Sequence, residues 1–151
     1  MLRHRFGWKR LSMAAGLAYA WDNSTARIVF QIRPGAYNDD ALIEFLEALH
    51  DELDDAKVTV IWDGLPSHRS RKMTAWIRRQ RRWLVVERLP GYAPDLNPVE
   101  ALWGNVKGTE LANLCPDTIG EAADVVDAAI DRVRHDAGLA FAFLHHSGLS
   151  L

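Results

Sequence analysis

Val58-Thr59-Val60-Ile61-Trp62-Asp63-Gly64-Leu65-Pro66-Ser67-His68 is the stretch that decides the architecture. Its first five residues form a short, almost unbroken run of apolar and β-branched side chains, the pattern of a strand buried on both faces of an α/β sheet. The run stops abruptly at Asp63-Gly64. A carboxylate at the C-terminal end of such a strand stands at the open mouth of the sheet, where ligands bind in α/β folds. The alternative at this point is an Asp that only terminates the strand or caps a turn.

Working outward, the next helix is predicted after an N-cap at Ser67, burying Met73, Trp76 and Ile77. Trp83–Val86 reads as a second apolar strand, ended by Leu89-Pro90-Gly91. Then comes Tyr92-Ala93-Pro94-Asp95-Leu96-Asn97-Pro98-Val99-Glu100. Asn97 before Pro98 is an N-cap followed by proline at the first helical position, and Val99, Leu102, Trp103 and Val106 fall on one face of the helix. Glu100 stands three residues after Asn97, close to a capping-box spacing, so a cap that reaches back to a backbone N–H competes with any chemical role. Thr118 and Glu121 are spaced as a capping box for a last long helix through Val125, Val126, Ile130 and Val133.

Towards the N-terminus, Asp39 and Asp40 sit where an N-cap belongs, ahead of Leu42, Phe45, Leu46, Leu49 and Leu53 at helical spacing. Leu11–Trp21 and Ala26–Ile32 read as strands of an antiparallel hairpin turned at Asp22–Thr25, with Arg33-Pro34-Gly35 as the stop. A basic Met1–Arg10, an apolar Leu11–Ala20 and Ala18-Tyr19-Ala20 together imitate a signal peptide. Ser12 and Gly16 dilute that apolar stretch, and the strand reading is adopted. The order strand, strand, helix, strand, helix, strand, helix, helix is mixed α/β.

Composition sets the outer bounds. The chain has 151 residues, 48% of them hydrophobic and 25% charged, which suits one folded domain over 1–151 and excludes disorder. With 18 Lys plus Arg against 20 Asp plus Glu, a net charge of −2 excludes a uniformly basic nucleic-acid binder. A single cysteine, Cys115, excludes an internal disulfide and a Cys-rich zinc site. Cys115 has no activating neighbour and reads as structural. No apolar run approaches the roughly 20 residues that span a bilayer, so no membrane partner is expected, and a cytoplasmic location is.

The local charge pattern departs from the average. Arg69, Arg71, Lys72, Arg78, Arg79, Arg81 and Arg82 occur with no acidic residue between Gly64 and Trp83. Such a face can displace counterions from DNA phosphates. It can equally be a solvated face, or pair with the acidic helix at Glu44–Asp51. Trp62, Trp76 and Trp103 fall on predicted buried faces and read as core. His145, His146 and Ser147 suggest a catalytic triad, but no nucleophile elbow accompanies them and that reading is rejected.

Taken with their flanks, Trp62–His68 and Tyr92–Glu100, followed by Leu102-Trp103, resemble the catalytic core of mariner-like and bacterial insertion-sequence DDE transposases. The likeness runs from about Arg10 to the C-terminal Leu144–Leu151, and the 36 residues between Asp63 and Glu100 suit the family's separation. It implies a ribonuclease H-like mixed sheet flanked by helices, and a site holding two Mg²⁺ (or Mn²⁺) ions. Asp63 and Glu100 would be metal ligands, since hard divalent cations take oxygen donors. His68 would help position a metal-bound group, the alternative being a surface residue in the first helical turn, and Asn97 would support Glu100. Asp95, the nearest rival to Glu100, reads as turn-forming. The partners implied are transposon-end and target DNA and, in the complete protein, a homo-oligomer at the nucleoid.

One expected ligand has no counterpart. The family's first Asp lies on a strand that precedes Leu11–Trp21, yet Met1–Arg10 contains no acidic residue. Asp22 falls in a hairpin turn and Asp39 and Asp40 at a helix start, so none is nominated. Without that central strand, the strands at Leu11–Trp21 and Val58–Trp62 each keep an unpaired edge. Buried unpaired backbone groups cost about 1–3 kcal/mol each, against a domain's whole margin of roughly 5–15 kcal/mol. The expectation is the C-terminal part of a split or truncated transposase, inactive alone. An upstream piece would carry the first Asp and a helix-turn-helix domain, which 1–151 lacks. The other readings are a non-catalytic DNA-binding or dimerising module, an inactive remnant of a mobile element, or a ribonuclease H-like nuclease of another kind.

Overall fold

The computed structural model describes residues 11–91, 93–112 and 119–149. The expectations for Met1–Arg10, Tyr92, Cys115 and the Thr118 cap lie outside the described residues. Two compact units emerge, one formed by Met1–Ala36 with Pro98–Leu151 and the other by Tyr37–Asn97.

The first unit begins with an antiparallel hairpin of β1 (Leu11–Tyr19) and β2 (Ala26–Pro34), in register from Leu11 opposite Pro34 to Tyr19 opposite Ala26. The first strand stops two residues short of the expected Trp21. Ala20 N–H already bonds the Thr25 carbonyl at 3.0 Å, and Asn23 takes a positive φ of 59° inside the turn. Asp22 accepts the Ser24 N–H at 3.0 Å, and hydrogen bonds from Ser24 hold its carboxyl below the usual range. The second strand runs two residues past the expected Ile32, because Pro34 at a strand end needs no ladder N–H.

Among the described residues this unit also holds three helices, α3 (Pro98–Thr109), α4 (Ile119–Arg134) and α5 (Ala137–His146). Ile28, Leu102, Val106, Val126, Ala129, Ile130, Val133 and Phe143 form its core, with Phe30 edge-on to a partly buried Trp103. Sequence reading missed α5, which is capped by the Asp136 carboxylate accepting from Leu139 N–H at 3.1 Å. Tyr19 donates its hydroxyl to the Ala140 carbonyl at 2.7 Å, and burial pushes its phenol up to about 12. Arg134 donates through Nε and Nη2 to the Ile28 carbonyl, satisfying an edge acceptor of β2. Ser147 is buried and gives its hydroxyl to the Leu144 carbonyl, a helix-end contact with no catalytic geometry.

Arg132 pairs with both carboxylate oxygens of Glu110 and also reaches Asn105. The guanidinium hydrogen bond holds the Glu110 carboxyl below its usual range. A depressed folded-state value gives stability that is present above the unfolded value of about 4.3 and lost as pH falls through the folded one. Arg132→Met should therefore cost about 0.5–1 kcal/mol at neutral pH, a size limited by solvent screening. The gap from wild type should close in urea titrations near pH 3.

The second unit pairs β3 (Val58–Trp62) with β4 (Leu84–Arg88) in parallel, Val58 opposite Leu84 through Trp62 opposite Arg88. Helices α1 (Asp39–Glu52) and α2 (Arg71–Arg79) cover one face. Leu42, Leu46, Trp62, Met73, Trp76 and Leu84 form the core there. On the other face Ile61 is 47% and Val85 52% exposed. Burial of β3 on both faces is thus corrected: alternate side chains point to opposite faces, and no helix of this unit covers the second. The fourth strand starts at Leu84 because Trp83 is still tied to the helix end through Gln80, by backbone and indole hydrogen bonds.

Two caps also differ from expectation. Asn38, rather than Asp39 or Asp40, caps α1 by accepting from Ala41 N–H at 2.9 Å. Ser70, rather than Ser67, caps α2 by accepting from Met73 N–H at 3.0 Å. Ser67 lies within a 3-10 turn, Pro66–Arg69, which occupies the place expected for the helix start. Each sheet has two strands, one antiparallel pair and one parallel pair, so β1 and β3 are each paired along a single edge among the described residues. No helix among the described residues is long and apolar enough to cross a membrane.

Candidate active-site carboxylates and a basic helix face

Asp63 follows the last residue of β3, and the chain then folds into a tight, fully bonded turn. Leu65 N–H donates to Asp63 Oδ1 at 3.2 Å, and His68 N–H donates to the Leu65 carbonyl at 2.9 Å. Pro66 fixes the backbone at the start of the 3-10 turn. The turn folds the His68 ring back over the strand end. Its Nδ1 lies 3.0 Å from the Asp63 carbonyl oxygen and 2.9 Å from Oδ1. Both neighbours are acceptors, so Nδ1 carries the proton. Each of these side-chain contacts is made by Oδ1. Among the described residues none engages Oδ2, and the Asp63 side chain is 48% exposed.

The His68 ring lies flat on Trp62, with centroids 4.3 Å apart and planes 12° from parallel. Sequence reading assigned Trp62 to the core alone. The structure gives it that role, at 7% exposure, together with a second one as the platform under His68. The readable signal was an aromatic residue directly before the strand-end Asp.

Glu100 belongs to the other unit, in the first turn of α3. A carboxylate there is favoured by the helix dipole. The capping alternative fares poorly, because the Asn97 N–H that such a cap would satisfy donates to the Pro94 carbonyl at 3.0 Å. Glu100 is exposed, and among the described residues no hydrogen bond or ion pair holds its carboxylate. Asn97 stands directly before Pro98, and Asp95 is exposed in the 3-10 turn Pro94–Leu96.

Arg69, Arg71, Lys72, Arg78, Arg79, Arg81 and Arg82 are all exposed. On α2, Arg71 and Arg78 lie opposite Met73 and Trp76 and Arg79 to the side, whereas Lys72 stands one turn before Trp76. Lys72 pairs with Asp40 in the first turn of α1. Among the described residues no ion pair joins the six arginines to an acidic side chain.

Asp63 and Glu100 supply the donor type that a hard divalent cation takes, each with carboxylate oxygen to spare. Among the described residues no three His, Cys, Asp or Glu side chains gather into a metal-holding group. The carboxylates present therefore fit a metal site as partial contributors.

Residues 7–118 match the family described as DDE superfamily endonuclease. No curated protein matches the chain. Among solved structures the chain is similar to the catalytic domain of Mos1 transposase with raltegravir and Mn, at a TM-score of 0.53 and 19% identity, over 93% of this chain and 84% of that one. It is similar also to the Mos1 mariner paired-end complex with Mn, at a TM-score of 0.57 and 22% identity. That match covers 79% of this chain and 37% of that one. The Mos1 paired-end complex with the left transposon end matches at a TM-score of 0.59 and 19% identity, over 87% and 43%. The chain thus spans well under half the length of the proteins in those two complexes. At such identities the likeness is one of fold, and the expected ribonuclease H-like α/β fold is present.

Proposed function

Because the chain belongs to the DDE superfamily endonuclease family, we propose that it is the catalytic-domain portion of a DNA transposase, cutting and joining strands by metal-dependent phosphoryl transfer. The observation that carries this reading is the Asp63 turn, where Leu65 N–H and His68 Nδ1 both engage Oδ1 and Oδ2 stays uncommitted at the end of a parallel strand. Asp63 and Glu100 would hold divalent cations, Mg²⁺ or Mn²⁺, two in the complete site. Paired cations activate the attacking oxygen and stabilise the departing one in an in-line displacement. Within that chemistry His68 orients the Asp63 carboxylate, and Asn97 starts the helix that carries Glu100.

The third acidic ligand comes, on this reading, from an upstream segment that also bears a helix-turn-helix domain. Purified alone, the chain is expected not to nick DNA with either metal. Supplied with an upstream segment carrying the first Asp, it should cleave transposon-end DNA in a metal-dependent manner. Cleavage by the chain alone that Asp63→Ala abolishes would overturn the incompleteness. The second reading, a non-catalytic DNA-binding or dimerising module or a remnant of a mobile element, is favoured by the lack of a three-ligand group among the described residues. It predicts that no complementing segment restores cleavage.

DNA contact is assigned to the exposed arginines. The double variant Arg78→Glu with Arg79→Glu removes two exposed cations from α2. DNA affinity should fall about tenfold or more near 0.1 M salt, and the slope of log affinity against log salt should shrink by about 2. An unchanged slope in fluorescence-anisotropy titrations would remove DNA from that face. We further assign the complete protein a homo-oligomeric state and a place at the nucleoid.

A further inference from the structure

We propose that Trp62 and His68 form a two-part positioning device for Asp63, with the indole face locking the imidazole so that Nδ1–H holds Oδ1 and Oδ2 is presented to the cation. The inference rests on the reading of Asp63 as a metal ligand and adds how that ligand is aimed.

Four features of the geometry support it. The rings are stacked at 4.3 Å and 12°, so rotation of the His68 side chain is blocked on one side by a residue that is itself 7% exposed. His68 is also largely enclosed, its side chain 13% exposed. Nδ1 faces two acceptors of the same residue, the carbonyl and Oδ1, which selects the Nδ1–H tautomer and leaves Nε2 out of the contact. Finally, the indole Nε1 of Trp62 is buried without a hydrogen-bond partner among the described residues. What holds the ring is the π face of the indole.

Four substitutions separate this role from simple core filling. Trp62→Phe keeps an aromatic face and removes the orphan N–H, so it should retain the device. Trp62→Leu keeps an apolar side chain and removes the stack. His68→Asn keeps an N–H donor close to the position of Nδ1, whereas His68→Phe keeps the stack and loses the donor.

The test uses the ¹⁵N-labelled chain, with imidazole nitrogen shifts recorded near pH 8, where a neutral ring is the ordinary form, and Mn²⁺ binding followed by electron paramagnetic resonance. His68 in the wild type and in Trp62→Phe should give the Nδ1–H pattern. Trp62→Leu should show the Nε2–H form while keeping a dispersed amide spectrum. If Trp62→Leu fails to fold, His68→Phe against His68→Asn decides. The first should lose about 10–100-fold in Mn²⁺ affinity and the second should stay within about threefold, the range expected of partners that orient a ligand. An Nε2–H pattern in the wild type overturns the device, as does equal affinity in the two His68 variants. If Asp63→Asn leaves Mn²⁺ affinity unchanged while the Nδ1–H pattern persists, the metal reading fails and the positioning contact stands.

Discussion

Asp63→Asn is expected to reduce strand cleavage by about a thousandfold in an assembly that supplies the upstream acid, and Glu100→Gln to do nearly the same. Both substitutions keep side-chain size and remove a negative charge. A ligand to a catalytic cation is worth several kcal/mol of transition-state stabilisation, and about 4 kcal/mol corresponds to three powers of ten in rate. The surroundings of the two residues limit any other cost. Asp63 is half-exposed, and an Asn there can still accept from Leu65 N–H and lie beside His68 Nδ1. Glu100 is exposed, and losing its charge from the first turn of α3 removes only about 0.3–1 kcal/mol of dipole stabilisation. Cleavage rate and thermal midpoint should therefore separate: a collapse in the first with the second within a few degrees. If Glu100→Gln lowers only the midpoint, Glu100 is a helix-start residue and is not a metal ligand. Charge loss without rate loss at Asp63 would return that residue to the role of strand terminator.

How much of this was legible beforehand differs from element to element, for physical reasons. The strand Val58–Trp62 was legible residue by residue, because a β-branched run ending in Asp-Gly has few competing conformations. The helix beginning at Asp39 was legible from its apolar spacing, but its cap was not. Asn38, Asp39 and Asp40 can all cap, and local pattern does not rank them. For the next helix the sequence reading placed the cap at Ser67, but Pro66 opens a 3-10 turn and the helix starts three residues on, capped by Ser70. Helix α5 escaped notice because Leu139, Ala140, Phe141, Phe143 and Leu144 leave no polar stripe to carry a period. The Asp136 cap was its one readable sign. The exposure on one face of the β3–β4 pair was illegible, since Ile61 and Val85 are apolar yet exposed.

The site divides along the same line. As a candidate, Asp63 followed from its place after an apolar strand run, and Glu100 only from the Tyr92–Glu100 segment taken whole. The competing cap for Glu100 looked good in sequence. It weakened once the Pro94 carbonyl was found to take the Asn97 N–H, a contact that depends on the Pro94–Leu96 turn and not on spacing. The stack of His68 on Trp62 lies beyond periodicity arguments, because a six-residue separation brings rings together only through this particular turn.

Leu102→Ala is the counterpart experiment, with a large effect on stability and a small one on chemistry. Leu102 sits on α3 two residues beyond Glu100, wholly buried among Ile28, Val106, Val126, Ala129, Ile130, Val133 and Phe143. Truncating a buried leucine removes its transfer free energy and leaves a cavity, together about 2–5 kcal/mol. Against a margin of roughly 5–15 kcal/mol, a loss of about 3 kcal/mol lowers the thermal midpoint by about 10 °C. Well below that midpoint the helix still carries Glu100, so cleavage in the assembled enzyme should stay within about threefold of wild type. Heating should then abolish it earlier than in the parent. A Leu102→Ala protein that keeps the parent's midpoint would contradict the packing of α3 against β2 and α4. One that loses cleavage in the cold would mean that the helix start is set by its packing, and Glu100→Gln measured in parallel at the same temperature would separate that loss from the loss of a ligand.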